Sequence, residues 1–129
     1  MVRIDRDLAL AQKTDRARWS DPAALEPAWD ARAELAANFV PAGAHVLDLG
    51  CGIMSLQRFL PYGCSYRGCD LVARDPQTII CDFNMGEFPT DAAADADIIS
   101  VLGVLEYIAD AEAFFAHLRS AGCDVVLSY

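Results

Sequence analysis

A glycine-rich turn and an aspartate further along the chain are the residues whose types and spacing could do chemistry. The turn has the sequence Asp48-Leu49-Gly50-Cys51-Gly52, and Asp70 follows eighteen residues after Gly52. Glycines let the backbone approach a ligand closely, and the helix expected after the turn presents amide groups to a carboxylate or phosphate. An acidic side chain in the position of Asp70 accepts hydrogen bonds from both hydroxyls of a ribose. The pattern therefore predicts a cofactor that contains adenosine.

Five short apolar segments are predicted to be the strands that position these residues. They cover residues 45–49, 65–69, 78–81, 97–102 and 124–128. Helices are predicted over 29–40, after the turn as far as Pro61, and over 110–121, whereas a polar loop is expected before the fourth strand. Strands that are apolar throughout are buried on both faces. The pattern predicts an α/β fold with three layers, Rossmann-like, around a mostly parallel sheet.

The helix over 29–40 is expected to lead into the core with an apolar face. Its apolar positions are Ala33, Leu35, Ala36, Phe39 and Val40, and Pro41 ends the pattern. We expect all five side chains to pack on the sheet.

The carboxyl ends of parallel strands are where ligands bind in such sheets, at the point where the strand order reverses. Asp82 and Phe83 follow the third predicted strand, and Leu102 and Gly103 end the fourth. The alternative is that Asp82 and Asn84 close a local turn before Gly86. The two histidines, His45 and His117, are expected away from the ligand.

At this point the chain resembles the class I S-adenosylmethionine-dependent methyltransferases. Their first motif is similar to residues 46–52, and four further elements arrive in the same order: Asp70, then residues 81–84, 97–100 and 104–110. The resemblance covers residues 29–129. It implies S-adenosyl-L-methionine as the cofactor.

The resemblance also implies a role for each matching residue. The glycine turn would lie against the methionine part of the cofactor, Asp70 would hold the ribose, and Asp82 with the Phe83 amide would bind the adenine edge. Leu102 and Gly103 would line the cleft near the sulfonium. The predicted cofactor-binding residues are Asp48, Gly50, Cys51, Gly52, Asp70, Leu71, Asp82, Phe83, Leu102 and Gly103.

Three departures from the family pattern carry expectations of their own. Met54 stands where the first motif usually has a third glycine, and twelve residues from Asp70 to Asp82 leave no room for a full helix. The sequence stops at Tyr129, after the fifth strand, whereas the family fold has two more strands. We expect either a fragment of a longer protein or an exposed sheet edge that supports a homodimer.

Composition limits the classes of partner. The 129 residues are 54% hydrophobic and carry a net charge of −9, which disfavours nucleic acid and anionic membrane surfaces. The acidic cleft would suit a sulfonium. The five cysteines lack paired metal-ligand spacing, so we expect reduced thiols and no metal. The charged N-terminus does not resemble a secretory signal, so a cytoplasmic location is predicted. Residues 1–28 are interpreted as a helical or irregular lid segment and 29–129 as the cofactor-binding core.

The predicted function is methyl transfer from S-adenosylmethionine to a small-molecule substrate by direct in-line displacement. Such a reaction needs proximity and orientation more than a base, and the sequence offers no catalytic set of Ser, His or Cys residues. One alternative is an NAD(P)-dependent oxidoreductase, although Ser55 stands where its fingerprint requires Gly or Ala. A second alternative is a cofactor-binding or scaffold domain that does not catalyse a reaction.

Overall fold

The computed structural model describes residues 14–25 and 29–129 and contains one five-stranded sheet. All strand pairs are parallel, and the order across the sheet is β3-β2-β1-β4-β5. The strands are β1 (His45–Leu49), β2 (Ser65–Asp70), β3 (Ile79–Ile80), β4 (Ile98–Leu102) and β5 (Asp124–Ser128). The predicted α/β class and all five strands are confirmed, with β3 shorter than expected.

Helices lie on both faces of this sheet. They are α1 (Arg16–Ser20), α2 (Trp29–Ala37), α3 (Ser55–Phe59), α4 (Thr90–Asp95) and α5 (Ala111–Ala121), with 3-10 turns at Pro22–Ala24, Phe83–Met85 and Leu105–Tyr107. The loop predicted before the fourth strand is wrong, because α4 forms there and buries Ala93 against the core. The helix-free crossover from β2 to β3 is confirmed.

The core consists of two apolar clusters, one on each face of the sheet. Leu47 and Ile99 belong to the cluster beneath α4 and α5, whereas Val46 and Ile98 belong to the cluster beneath α2 and α3. Successive strand residues point to opposite faces, so β1 and β4 supply both clusters. A sheet buried on both sides explains why these strands are apolar throughout.

Helix α2 packs on the sheet through small side chains. Leu35 and Phe39 are 63% and 68% exposed, so the prediction that they pack on the sheet is wrong. The buried residues of α2 are Ala33, Ala36 and Ala37. Val40 is also buried, but it lies beyond the end of the helix, which is shorter than the predicted range 29–40. Alanines let the helix lie close to the sheet, and this close approach turns the larger side chains away.

Strand β5 lies at one edge of the sheet among the described residues. It pairs with β4 on one side, and Leu127 and the terminal Tyr129 are 43% and 91% exposed. The homodimer through this edge stays a prediction. Within the described residues, no helix has the length and apolar character needed to cross a membrane. Much of the predicted N-terminal segment, residues 1–13 and 26–28, lies outside the described residues.

Met54 immediately precedes α3 in a conformation that L-residues avoid. Its φ and ψ are 58° and 37°, in the left-handed region, and its side chain does not cap the helix. Among the described residues, every other residue with positive φ is a glycine. The Met54 backbone is therefore strained.

Replacing Met54 with glycine should raise the free energy of unfolding by about 1 kcal/mol, because glycine adopts the left-handed region without the Cβ penalty. Urea unfolding of both proteins measures the difference. Met54→Ala is the matched control, since it shortens the side chain but keeps the strain. Equal stability of the alanine and glycine variants would show that the backbone is not strained.

Candidate functional site

A cavity of about 190 Å³ opens at the carboxyl edge of the sheet. It lies at the end of β1 and β4, the two central strands. After β1 the chain continues to β2 and β3 on one side of the sheet, and it then returns to β4 and β5 on the other side, so the strand order reverses at this point. All ten residues predicted to bind the cofactor line this one cavity: Asp48, Gly50, Cys51, Gly52, Asp70, Leu71, Asp82, Phe83, Leu102 and Gly103. The sheet therefore brings together residues that are far apart in the sequence.

Asp48 is a buried carboxyl held between two neighbouring strands. Ser100 on β4 donates a hydrogen bond to its Oδ1 at 2.8 Å, and Tyr66 on β2 donates one to its Oδ2 at 2.7 Å. Burial raises the pKa of Asp48 to about 6, although the two hydrogen bonds oppose that rise. The burial of Asp48 is thus compensated by two hydroxyl donors, one from each adjacent strand.

The glycine turn uses its own amides within the protein. The amides of Gly50 and Cys51 both donate to the carbonyl oxygen of Cys69, at 2.7 and 3.1 Å, and the Gly52 amide donates to Asp70 Oδ2 at 2.9 Å. The expected anion site therefore cannot use these three donors. The contribution of Gly50 is steric, since φ is +73° and a Cβ there would overlap Val104.

Asp70 ties the turn to the end of β2. Its Oδ2 accepts from Gly52 and from Arg74 Nε at 3.0 Å, while its Oδ1 accepts from the Leu71 amide at 2.8 Å. The Arg74 guanidinium continues to the Trp19 carbonyl oxygen, to which Nη2 donates at 2.5 Å. The residue predicted to hold a ribose is therefore already an ion-pair partner.

Asp82 closes a local turn as well as lining the cavity. Its Oδ1 accepts from the Asn84 amide at 3.1 Å and from the Thr14 hydroxyl at 2.5 Å, and Arg16 Nη2 lies 3.5 Å from its Oδ2. Asn84 donates to the carbonyl oxygen of Tyr107 at 2.9 Å. The alternative of a turn-capping Asp82 is therefore confirmed, and the same carboxylate also anchors the N-terminal segment.

Arg32 is a cavity residue that the sequence analysis missed. It projects from α2 toward Gly103, where a Cβ would overlap the guanidinium, and it lies 5.7 Å from the centre of the Trp29 ring. Its Nε is buried and has no hydrogen-bond partner among the described residues. Together with Arg74, it places two cations in a cleft that was expected to be purely acidic. The sequence places Arg32 beside Ala33 on the predicted helix, but it does not show in which direction the Arg32 side chain points.

The large aromatic side chains of Trp19, Trp29 and Tyr107 line the cavity. The Trp19 and Tyr107 rings meet edge to face with centroids 4.9 Å apart, and Arg18 lies 4.4 Å above the Trp19 ring. Trp29 lies against Gly52, within 3.4 Å of the place where a Cβ would stand. Trp19 and Trp29 therefore both line the cavity.

The cysteines and histidines contribute no reactive group here. All five cysteines are free, and burial raises the pKa of the Cys51 thiol, which keeps it protonated. His45 lies at the amino end of β1 beside Ser65. His117 lies on α5, and its ring stacks on Phe88. The expectation of free thiols and of histidines outside the cavity is confirmed.

Comparison with known proteins leaves the site to be interpreted from its own geometry. No protein-family model matches the sequence, and no curated protein matches it significantly.

Replacing Asp48 with asparagine should remove part of the pH dependence of stability. The folded pKa of about 6 lies above the ordinary aspartate pKa of 3.8, so the protonated carboxyl stabilises the fold at low pH and this contribution is lost as the pH rises through 6. Between pH 5 and pH 7.5 the wild type should lose about 1–1.5 kcal/mol relative to Asp48→Asn. Urea unfolding across this range measures it, and parallel profiles would refute the assignment.

Proposed function

We propose that this protein is a Rossmann-like methyltransferase that uses S-adenosyl-L-methionine and a small-molecule acceptor. One observation carries the proposal: the ten residues selected from the motif resemblance surround a single cavity at the strand-order reversal. The sheet order β3-β2-β1-β4-β5 is the arrangement expected for this fold.

The adenosine half of the cofactor has acceptors in suitable places. Asp70 and Asp82 follow neighbouring strands, and both carboxylates line the cavity. We infer that Asp70 accepts hydrogen bonds from the ribose hydroxyls, whereas Asp82 and the Phe83 amide face the adenine edge. Asp82 serves this role while it caps its own turn.

The amino-acid half requires a partner for a carboxylate, and Arg32 fits that requirement. Its Nε is a buried donor without a hydrogen-bond partner in the part of the chain that is described, and Gly103 leaves space for the guanidinium. An arginine next to a cavity is a preferred carboxylate partner. Since the turn amides are already paired, we assign the cofactor carboxylate to Arg32.

A dinucleotide fits the same cavity less well. Its pyrophosphate needs free amides at the start of a helix. Helix α3 has five residues, and the Ser55 hydroxyl at its first position donates to Asp30 at 2.6 Å. The amides of Gly50, Cys51 and Gly52 are bonded within the protein. These features favour a cofactor without phosphate.

The bound cofactor would supply a methyl group on a sulfonium. The acceptor nucleophile would bond to the methyl carbon as the carbon–sulfur bond breaks, and the electron pair of that bond would stay on sulfur. The acceptor would lose a proton. The protein's own task is to orient both reactants and exclude water. Trp29 lines the cavity beside Gly52 and would exclude water there. The net charge of −9 favours a small acceptor over nucleic acid.

S-adenosylmethionine and S-adenosylhomocysteine should stabilise the protein against heat, whereas NAD and NADP should not. A ligand at 100 times its Kd adds about 2.7 kcal/mol, which raises the unfolding midpoint of a domain of this size by several degrees. Thermal unfolding with each ligand is the measurement. Stabilisation by NAD alone would instead support the oxidoreductase alternative.

Arg32→Met should weaken S-adenosylhomocysteine binding about 10- to 100-fold, since a charge-assisted contact to the carboxylate is lost. Binding of 5′-methylthioadenosine, which lacks the carboxylate, should not change. Titration calorimetry measures both ligands. Arg58→Met is the matched control, because Arg58 is an exposed arginine on α3 that pairs with Asp30 outside the cavity. Equal weakening of both ligands would refute the carboxylate assignment.

A further inference from the structure

We propose that Arg74 latches the N-terminal segment, residues 14–25, onto Asp70, and that a ribose opens this latch by replacing Arg74 on the carboxylate. The inference rests on the proposed function, because it takes the ligand to be an adenosine cofactor. Arg74 would then be a positioning residue that links occupancy of the ribose site to the position of the segment.

Asp70 can accept only a limited number of hydrogen bonds. A carboxylate offers about four lone-pair positions, two on each oxygen. Oδ2 already accepts from the Gly52 amide and from Arg74 Nε, whereas Oδ1 accepts only from the Leu71 amide among the described residues. A ribose that places one hydroxyl on each oxygen therefore needs a position on Oδ2. One of the two present donors must leave.

Arg74 is the donor that can leave. The Gly52 amide belongs to the backbone of the turn, which is held by the bonds from Gly50 and Cys51 to Cys69. Moving it would distort the turn that follows β1. Arg74 is a side chain with several rotatable bonds, and it can keep a partner through its other nitrogens.

The other end of Arg74 connects this exchange to the segment. Its Nη2 donates to the Trp19 carbonyl oxygen at 2.5 Å, and the Arg74 side chain is only 9% exposed. Thr14 and Arg16 bind Asp82, and Arg16 Nη1 also donates to the Leu71 carbonyl oxygen at 3.0 Å. The segment is therefore attached to the same two strand ends that line the ribose and adenine side of the cavity.

The segment is sensitive to the loss of one such contact. None of the described residues 14–25 is buried, so its attachment depends on polar contacts and on the Trp19 ring packing against Tyr107. When the ribose displaces Arg74 from Asp70, the bridge to Trp19 loses its fixed end. By thermodynamic reciprocity, opening the segment and binding the ribose favour each other. The segment would thus open once the cofactor is bound.

The test combines ligand affinity with trypsin cleavage after Arg16 and Arg18, both in the segment. In Arg74→Met, S-adenosylhomocysteine should bind about tenfold tighter by calorimetry, because the competitor for Asp70 is gone. Without ligand, cleavage at these two sites should be about tenfold faster, as the open population grows. In the wild type, saturating S-adenosylhomocysteine should speed cleavage, and in Arg74→Met it should have little effect.

Arg67→Met is the matched control, since Arg67 lies on β2, is exposed, and makes a single Nε bond to the Gln77 carbonyl oxygen at 3.2 Å. It should bind and be cleaved like the wild type. Circular dichroism checks folding, and Arg74→Gln replaces Arg74→Met if the latter does not fold, because its neutral amide keeps a polar group but loses the ion pair with Asp70. The wild-type cleavage comparison needs no variant.

The outcomes separate this inference from the proposed function. If S-adenosylhomocysteine binds neither the wild type nor Arg67→Met, the proposed function is wrong. The proposed competition between a ribose and Arg74 for Asp70 is then wrong as well. If the ligand binds but the Arg74 variants bind it equally or more weakly, only the latch is wrong. Protection of the wild-type segment from trypsin by the ligand would also overturn the latch.

Discussion

The hydrogen bond from the Gly52 amide to Asp70 is the interaction on which the candidate site depends. It joins the turn after β1 to the end of β2, so the glycine turn and the acidic residue hold each other in place. A charge-assisted bond with a carboxylate acceptor contributes about 1.5–3 kcal/mol. Because the same carboxylate also accepts from Arg74, any ligand that binds Asp70 acts on the turn and on the N-terminal segment together.

Buried polar groups in the sheet are placed where neighbouring strands supply their partners. Asp48 lies opposite Ser100 in the parallel register of β1 and β4, and Tyr66 reaches it from β2. A buried carboxyl without such donors would cost several kcal/mol. The hydrogen bonds of Asp48 are therefore satisfied by Ser100 and Tyr66. The buried Nε of Arg32, in contrast, has no hydrogen-bond partner among the described residues. That contrast distinguishes a group that supports the fold from one that is available to a ligand.

Much of the architecture could be predicted from the sequence because its causes are local. The bounds of β1 and β5 agree with the predicted ranges, since each strand is a short apolar run between turn residues. The ten predicted site residues share one cavity because parallel strands bring their carboxyl ends to one edge. Helix α4 was missed because its acidic residues resemble a loop, and the contact that stabilises it, through Ala93, is with the distant core.

The sequence by itself determined the order of the five strands along the chain, the glycine turn and the edge of the sheet where a ligand can bind. Only the tertiary structure decided which groups remain free to bind one. The turn amides are consumed by Cys69 and Asp70, and the cations Arg32 and Arg74 enter the cavity from other elements. The physical reason is that hydrogen-bond partners and side-chain directions depend on contacts between segments far apart in the chain, which no local periodicity encodes.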